Sequence, residues 1–388
     1  RRLSYPDSEL VLGIVSPVGA DLAIFDSALE QRLKQFNYRV NPIRLSEFLK
    51  TIDVGVQLKD DPLAERIDTY MSAGNKAREL AERGDVLALY AAHTINAERP
   101  QQNEPQPRTV HILRSLKHPD EVRTLRRIYG GGFFLVAVSA TRQQRLKYLK
   151  DDQGCTQKQA EHLIQRDEDE AIEFGQKTRE TFQLADVFVP VSGKEQLWRF
   201  LDLIFGAPFE TPTQDEYAMF LAFAASLRSA DLSRQVGAVI LSSHGELIST
   251  GTNDVPAYKG GLYWPGENDQ RDWKRGEDEN ERRRDELIVE IMKKAFPEDS
   301  ADEKALLTKG KELFLNTALM NITEFGRAVH AEMEALLSAA RSGINSLDGT
   351  LYTTTFPCHN CAKHIVASGI KRVVYVEPYP KSKALDLH

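Results

Sequence analysis

Along the first half of the chain, runs of consecutive apolar residues alternate with stretches whose apolar residues recur at helical spacing. Leu10–Ser16 (LVLGIVS) reads as a buried strand, Asp21–Phe36 as a helix and Tyr38–Ile43 as a second strand. A helical region follows from about Pro62 to Ala97; Val110–Leu116 and Gly132–Ala140 then supply two more strands and Ala185–Val191 a fifth. Apolar strands spaced by helices are the pattern of parallel βαβ units, which are covered on both faces. The first half is therefore expected to form an open, parallel α/β sheet.

The pattern changes after Pro208–Thr213 (PFETPT), the best linker candidate, so the chain is divided into domains at 1–210 and 211–388. Ala97–Arg108, rich in Pro and Gln, reads as a loop inside the first domain. The second half opens with an apolar helix, Asp215–Ser229, then a hairpin turning at Ser243–Gly245. Glu267–Lys311 is dominated by charged residues, as in Asp278–Arg284 (DENERRR), and such runs are expected to be solvated helix faces. No internal repeat is visible.

Composition narrows the classes. A chain of 388 residues exceeds what one core usually organises, and 41% hydrophobic with 28% charged residues describes a folded, soluble protein. A net charge of −7 argues against a protein that grips a nucleic-acid backbone. The three cysteines, Cys155, Cys358 and Cys361, do not make a secreted disulfide framework, and a cytoplasmic location fits them better. The apolar stretch Gly130–Ala140 is too short to cross a membrane. The chain starts at Arg1 without Met and stops at Lys383–His388 as a further helix begins, so residues are expected to be missing at both ends.

The candidate chemistry lies in the second half. His330-Ala331-Glu332 opens the helical run AEMEALLSAA, and the strand TLYTTT leads into Pro357-Cys358-His359-Asn360-Cys361 and another helix. Residues spaced by three share a helix face, so both thiols can turn toward one point. One imidazole and two thiolates are the ligands of a catalytic tetrahedral zinc that keeps its fourth position for water. Glu332 is placed to carry a proton rather than to ligate. H-A-E and P-C-x-x-C in this order form the zinc deaminase signature. His359, His364 and His93 lack such support and are read as non-ligands.

Ser226–Pro256, HAEMEAL and the segment LYTTTFPCHNCAKHIVASGIKRVVYVEPY resemble the deoxycytidylate deaminase family across nearly all of the second half. The pairing with a P-loop-like first half resembles bacterial anti-phage dCTP deaminases. The resemblance implies a cytidine-deaminase-like α/β/α sandwich with zinc between the two motif helices. It also implies attack of an activated water on C4 of cytosine, with Glu332 protonating N3 and later helping ammonia leave. Asn253 matches the family position whose amide contacts the sugar, with a turn residue as the alternative. Arg234, beside the QVGAV strand, is a candidate for the substrate phosphate, though a surface role is open to it, and Ala331 lies within the site. The insertion from Tyr258 to Asn316 lacks cysteine, so one zinc per chain is expected where relatives often carry two. Trp264 and Trp273 within it are expected to pack on the core, with lining a nucleotide site as the alternative.

In the first half, LVLGIVS followed by Ser16-Pro17-Val18-Gly19-Ala20-Asp21 and a helix has the layout of a phosphate loop, but no Lys follows Gly19. The stretch AVSATRQQRLKYL resembles the lid of small-molecule kinases. This gives a P-loop NTPase or nucleotide-kinase-like parallel sheet, with Ser16, Gly19, Ala20, Asp21, Arg142 and Arg145 as candidates to hold a nucleotide with Mg2+. A degenerate scaffold is the alternative. The expected activity is deamination of free dCMP or dCTP, depleting the pool in phage defence, in a homo-oligomer with a regulatory nucleotide or inhibitory partner and no membrane. A tRNA or single-strand base deaminase and a non-catalytic nucleotide switch are the alternatives.

Overall fold

The structure, a computed structural model, describes residues 7–101, 104–168, 175–297, 302–315, 317–322, 324–379 and 382–388. Parts of the 97–108 loop (102–103) and of the charged insertion (298–301 and 316) lie outside the described residues. The chain divides into two compact units, Arg1–Glu210 and Thr211–His388.

The first unit runs β1 (Glu9–Val15), α1 (Ala23–Gln35), β2 (Arg39–Arg44), α2 (Leu63–Leu80), α3 (Val86–Ala97), β3 (Thr109–Arg114), α4 (Pro119–Tyr129) and β4 (Phe133–Ser139). It continues through α5 (Arg142–Lys147), α6 (Gln157–Glu168), α7 (Thr178–Gln183), β5 (Val187–Pro190) and α8 (Lys194–Ile204). The five strands line up as β2-β3-β1-β4-β5, all parallel, which is the expected sheet. Strand residues alternate between the two faces. Leu10, Leu12 and Ile14 meet Phe25, Leu29 and Leu33 of α1 with Leu197 and Leu201 of α8. Val11 and Val15 meet Ala73 and Ala77 of α2, Leu87 and Ala91 of α3 and Leu125 of α4. Apolar residues are thus needed at consecutive positions.

Two buried polar ladders cross this core. The expected helical region 62–97 is two helices, and Arg78 near the end of the first pairs with Glu121 of α4 at 3.0 Å, both almost fully buried. At the start of the sheet, Asn41 Nδ2 donates to His111 Nδ1 (3.0 Å), His111 Nε2 donates to Glu9 (3.1 Å), and Arg99 closes the row on Glu9. Asn41 and His111 are register partners, so the row spans neighbouring strands.

The second unit begins with α9 (Gln214–Ser226), whose start is fixed by Thr213 and Glu216 as a reciprocal cap. Then follow β6 (Gly237–Leu241), β7 (Leu247–Thr252), α10 (Asp272–Arg275), α11 (Glu279–Ala295), α12 (Glu303–Leu313), α13 (Ala331–Arg341), β8 (Thr350–Thr355), α14 (His359–Ala367), β9 (Arg372–Glu377) and α15 (Ala384–Leu387). The sheet order is β7-β6-β8-β9, antiparallel except for β8 with β9. Ala218 and Ala222 of α9 cover one face against Val239, Leu241 and Tyr352. Ala331 and Ala335 of α13 with Cys361 and Ile365 of α14 cover the other. This is the expected sandwich.

Within the insertion, α11 and α12 join through Ile288, Met292 and Leu306 and carry ion pairs outside. The run is not solvated throughout, because Asp269 and Arg271 are buried. The expectation that Trp264 and Trp273 pack on the core does not hold: both are exposed, and Trp264 lies 3.8 Å beneath the Arg228 guanidinium. A cation over an aromatic face stabilises the pair at the surface without burial. Among the described residues no helix is long and apolar enough to cross a membrane.

Candidate metal centre

His330 is the extended residue that caps α13, with φ −68° and ψ 152°. Two features bring this helix start against β7. Gly251 has no side chain, and a Cβ there would lie 2.1 Å from the Ala331 carbonyl and 2.4 Å from the Ala335 amide. Asp254 and Val329 pair as a short antiparallel bridge, with N–H to O distances of 3.3 and 3.0 Å. The second ligand segment begins where β8 ends: Pro357 stops the ladder and Cys358 caps α14, its Sγ accepting the Cys361 amide at 3.4 Å. Cys358 thus precedes the helix that carries Cys361.

The two helix starts converge. His330 Nδ1 is 3.3 Å from Cys358 Sγ and 3.3 Å from Cys361 Sγ, and all three donor atoms lie within 4.8 Å of one another. Ideal tetrahedral zinc with these ligands would separate nitrogen from sulfur by roughly 3.6 Å, so the donor set and spacing fit such an ion. Hydrogen bonding from the Cys361 thiol draws the Cys358 thiol down to about 3, against burial and with help from His330. Thiolate character is what a metal needs. The hydrogen bond with Cys358 raises the His330 imidazole against the effect of burial.

Glu332 is 4% exposed, with Oε2 3.5 Å from Cys361 Sγ. Burial pushes its carboxyl up, beyond what its own backbone N–H and His330 pull back. A carboxyl raised by burial beside a group of potential metal ligands is of the type that can serve as acid and base in turn. His364 is bonded within its own helix, to the Asn360 carbonyl at 2.7 Å, and neither His359 nor His93 belongs to the ligand group.

The other predicted residues behave differently. Asn253 is buried, and its amide is engaged by the protein: Oδ1 accepts the Val236 N–H (2.6 Å) and Nδ2 donates to the Arg234 carbonyl (2.7 Å). It pins the loop that carries Arg234, so the turn-holding role is present, and its second amide N–H is not among these bonds. Arg234 is half-exposed and paired with Glu377. Ala331 is fully buried, its carbonyl against Gly251. Sequence reasoning missed Asp231, whose charge reaches His330, and Tyr379, which feels both Cys358 and Arg234 while burial pushes its phenol up. The segment ending in Tyr379 was visible as a strand exit, but nothing in its residues marked it as a neighbour of the thiolates.

In the first unit the strand–loop–helix layout is present, but its polar groups end on the protein. The Val18 N–H donates to the fully buried Asp167 carboxylate at 2.7 Å, which also takes Lys117 Nζ (2.7 Å) and Thr178 Oγ1 (3.1 Å). The Ser16 carbonyl accepts a second bond from Lys117, the Ala20 amide donates to Pro17, and Asp21 accepts the Ala23 amide. Gly19, at φ +85°, lies under α5, where a Cβ would meet the Arg145 carbonyl at 2.9 Å. Arg145 Nε donates to the Val18 carbonyl and Arg142 stays exposed. Of the candidates for a phosphate cradle, groups of Ser16, Ala20, Asp21 and Arg145 are bonded within the protein, and Asp167, far away in sequence, lies against the loop and 3.9 Å from the Arg145 guanidinium.

A family profile described as the cytidine and deoxycytidylate deaminase zinc-binding region matches residues 212–377. The chain is 32% identical over 163 residues to the deoxycytidylate deaminase of Enterobacteria phage T4, covering 42% of this chain and 77% of that protein. Among solved structures, the dCMP deaminase of cyanophage S-TIM5 in complex with dCMP and dUMP aligns at 20% identity and a TM-score of 0.28, over 46% of this chain and 91% of that one. A shikimate kinase from Bacteroides thetaiotaomicron aligns at 12% identity and a TM-score of 0.30, over 50% and 96%.

Proposed function

The chain belongs to the cytidine and deoxycytidylate deaminase family, and from that premise we propose that its second unit hydrolyses the amino group of free dCMP or dCTP to give the uracil nucleotide and ammonia. The observation that carries this reading is the convergence of His330, Cys358 and Cys361 beside the buried Glu332.

His330 Nδ1 and the two Sγ atoms would hold one zinc per chain. When bound, zinc supplies a Lewis acid that makes water nucleophilic at neutral pH. Glu332 would take one proton from the attacking water and deliver it to N3 of the cytosine ring as oxygen adds at C4. Again a carboxylate, it would take the remaining proton of the new C4 hydroxyl and hand it to the departing amino group, so the C4–N bond breaks, a C4 carbonyl forms and ammonia leaves with the carboxylate restored. Burial of Glu332 supports this cycle, since desolvation raises its carboxyl above the ordinary carboxylate value and makes the protonated form easier to reach. Asn253 fixes the loop from Asp231 to Val236, and Arg234 on that loop would turn from Glu377 to the substrate phosphate.

For the first unit the internal bonding of its loop favours a scaffold over a nucleotide and Mg2+ site. The resemblance to anti-phage dCTP deaminases supports pool depletion in phage defence as the physiological outcome, in a homo-oligomer working in the cytoplasm. The test is to incubate the purified chain, with zinc content measured, with CMP, dCMP, CTP and dCTP while following uracil formation. Glu332→Gln should keep the zinc and slow turnover by on the order of 10²–10⁴-fold. A zinc-loaded wild type that converts none of the four overturns the proposal, and preference for a single-stranded nucleic acid would replace it with an editing role.

A further inference from the structure

His330 is delivered by a stub with little regular structure of its own. Among the described residues, the bridge between Val329 and Asp254 is what ties the residue before the ligand to the rest of the unit through paired backbone bonds. What holds Asp254 therefore bears on where His330 sits.

Two backbone amides, and one side chain from the insertion, hold it. Asp254 is 2% exposed, its carboxylate accepting the Ala230 and Val255 amides at 3.3 and 2.8 Å. Its only cationic neighbour among the described ion pairs is Arg271, with Nη1 3.7 Å from Oδ2. Arg271 is itself buried and clamped by Asp269, with Nε to Oδ1 at 2.9 Å, Nη2 to Oδ2 at 2.7 Å, and its backbone amide on the same carboxylate. From the other side of the stub, Arg327 donates to Asp272 at 2.5 Å and to the Gln270 carbonyl at 3.1 Å. Residues 269–272 thus grip the chain on both sides of Ala328, one residue by a buried ion pair and the next by a charged bond to the stub itself.

We propose that Arg271 and the Asp272–Arg327 pair are positioning residues, a latch through which the charged insertion holds His330 where its imidazole meets the two thiolates. The inference rests on the metal reading above and assigns the insertion a task in it. Buried charge pairs are often no better for stability than apolar residues of the same size, and their use is to fix one arrangement. A metal ligand needs that kind of support, because partners behind the ligand set its orientation and affinity. The two-oxygen clamp of Asp269 orients the Arg271 guanidinium in a way a lysine ammonium could not reproduce.

The test is zinc release from the loaded full chain to a chromophoric chelator, measured well below the melting temperature. Arg327→Glu and Asp272→Arg alone should each release zinc about 10–100-fold faster than wild type. Combining them, which swaps the charges, should bring release back to within a few-fold. Arg271→Lys should release faster than wild type and slower than Arg271→Met, and it keeps the buried charge should the Met variant fail to fold. Release unchanged in the single variants, or a lowered melting temperature with unchanged release, overturns the latch, as does a swap that restores nothing. A wild type that never retains zinc sinks the metal reading itself, before any variant is compared, so the two failures are distinct.

Discussion

Each unit contains a strand that runs into a helix with polar groups at the junction, and the two junctions differ in what those groups face. In the second unit an imidazole nitrogen lies 3.3 Å from each of two sulfurs. In the first, a backbone amide, an ammonium and a hydroxyl all face the carboxylate of Asp167. One set of donors converges on a point that a cation could share; the other already surrounds a carboxylate supplied by the chain. The lesson is that a loop's layout decides where donors can point, while a residue distant in sequence decides whether the point is taken.

That contrast can be broken most sharply at the metal triad. Cys361→Ala should lose zinc and reduce deamination to background, with the melting of the first unit unchanged; metal analysis and calorimetry check both. Retained zinc would mean that the three donors are not the ligand set. Next in size, Lys117→Met removes the nearest cation from the buried Asp167 carboxylate, leaving it the Arg145 guanidinium at 3.9 Å, and should destabilise the first unit by about 3 kcal/mol while zinc content is unchanged. Denaturant unfolding followed at Trp198 of α8 reads this out, and a loss under about 1 kcal/mol would show that Asp167 is not the charge that fills the loop.

Millimolar Mg–ATP should leave the wild-type melting curve where it is. A site filled at a hundred times its dissociation constant would add about 2.7 kcal/mol, an upward shift that would reopen the loop as a nucleotide site.

The smallest effect concerns acid. Burial raises the Glu9 carboxyl, but hydrogen bonds from Arg99, the Gln106 amide and His111 outweigh it and hold it below 4.5. Burial holds the His111 imidazole below 6.5 in spite of Glu9. Both groups bind fewer protons folded than unfolded, so their stabilisation is present at neutral pH. It is lost first as pH falls through 6.5 and further as it falls through 4.5. Unfolding free energies of the first unit between pH 7 and 4 should decline accordingly, and His111→Gln should remove the upper part of the slope. In the second unit the Asp215 carboxyl is also held down, chiefly by Arg372, but that pair is half-exposed and screening leaves it little weight.

The His330, Cys358 and Cys361 group was legible because its chemistry is local: each half sits at one helix start, and spacing within a turn is visible in the chain. The parallel sheet was legible for a similar reason, since strands buried on both faces write themselves as unbroken apolar runs. Illegible were the contacts that join distant segments. Nothing in the surroundings of Asp167 announces Val18, 149 residues away. Arg271 looked like one more charge in a solvated run, because burial of a charge depends on partners brought by the fold. The break between α2 and α3 was hidden in the same way, behind Arg78, an ordinary helix residue until Glu121 arrives. Trp264 misled in the opposite direction, since its aromatic surface is satisfied by a guanidinium and not by the core.

The missing methyl at Gly251 has a mechanical outcome. Because the first turn of α13 rests directly on the strand, His330 and Glu332 travel as one rigid piece whose height above the sheet is set by bare backbone. Any larger residue at 251 would lift ligand and proton carrier together, leaving the thiolates behind on their own helix. Evolution or engineering can therefore retune the gap between the two helix starts there, but not the offset between the metal and the acid that serves it.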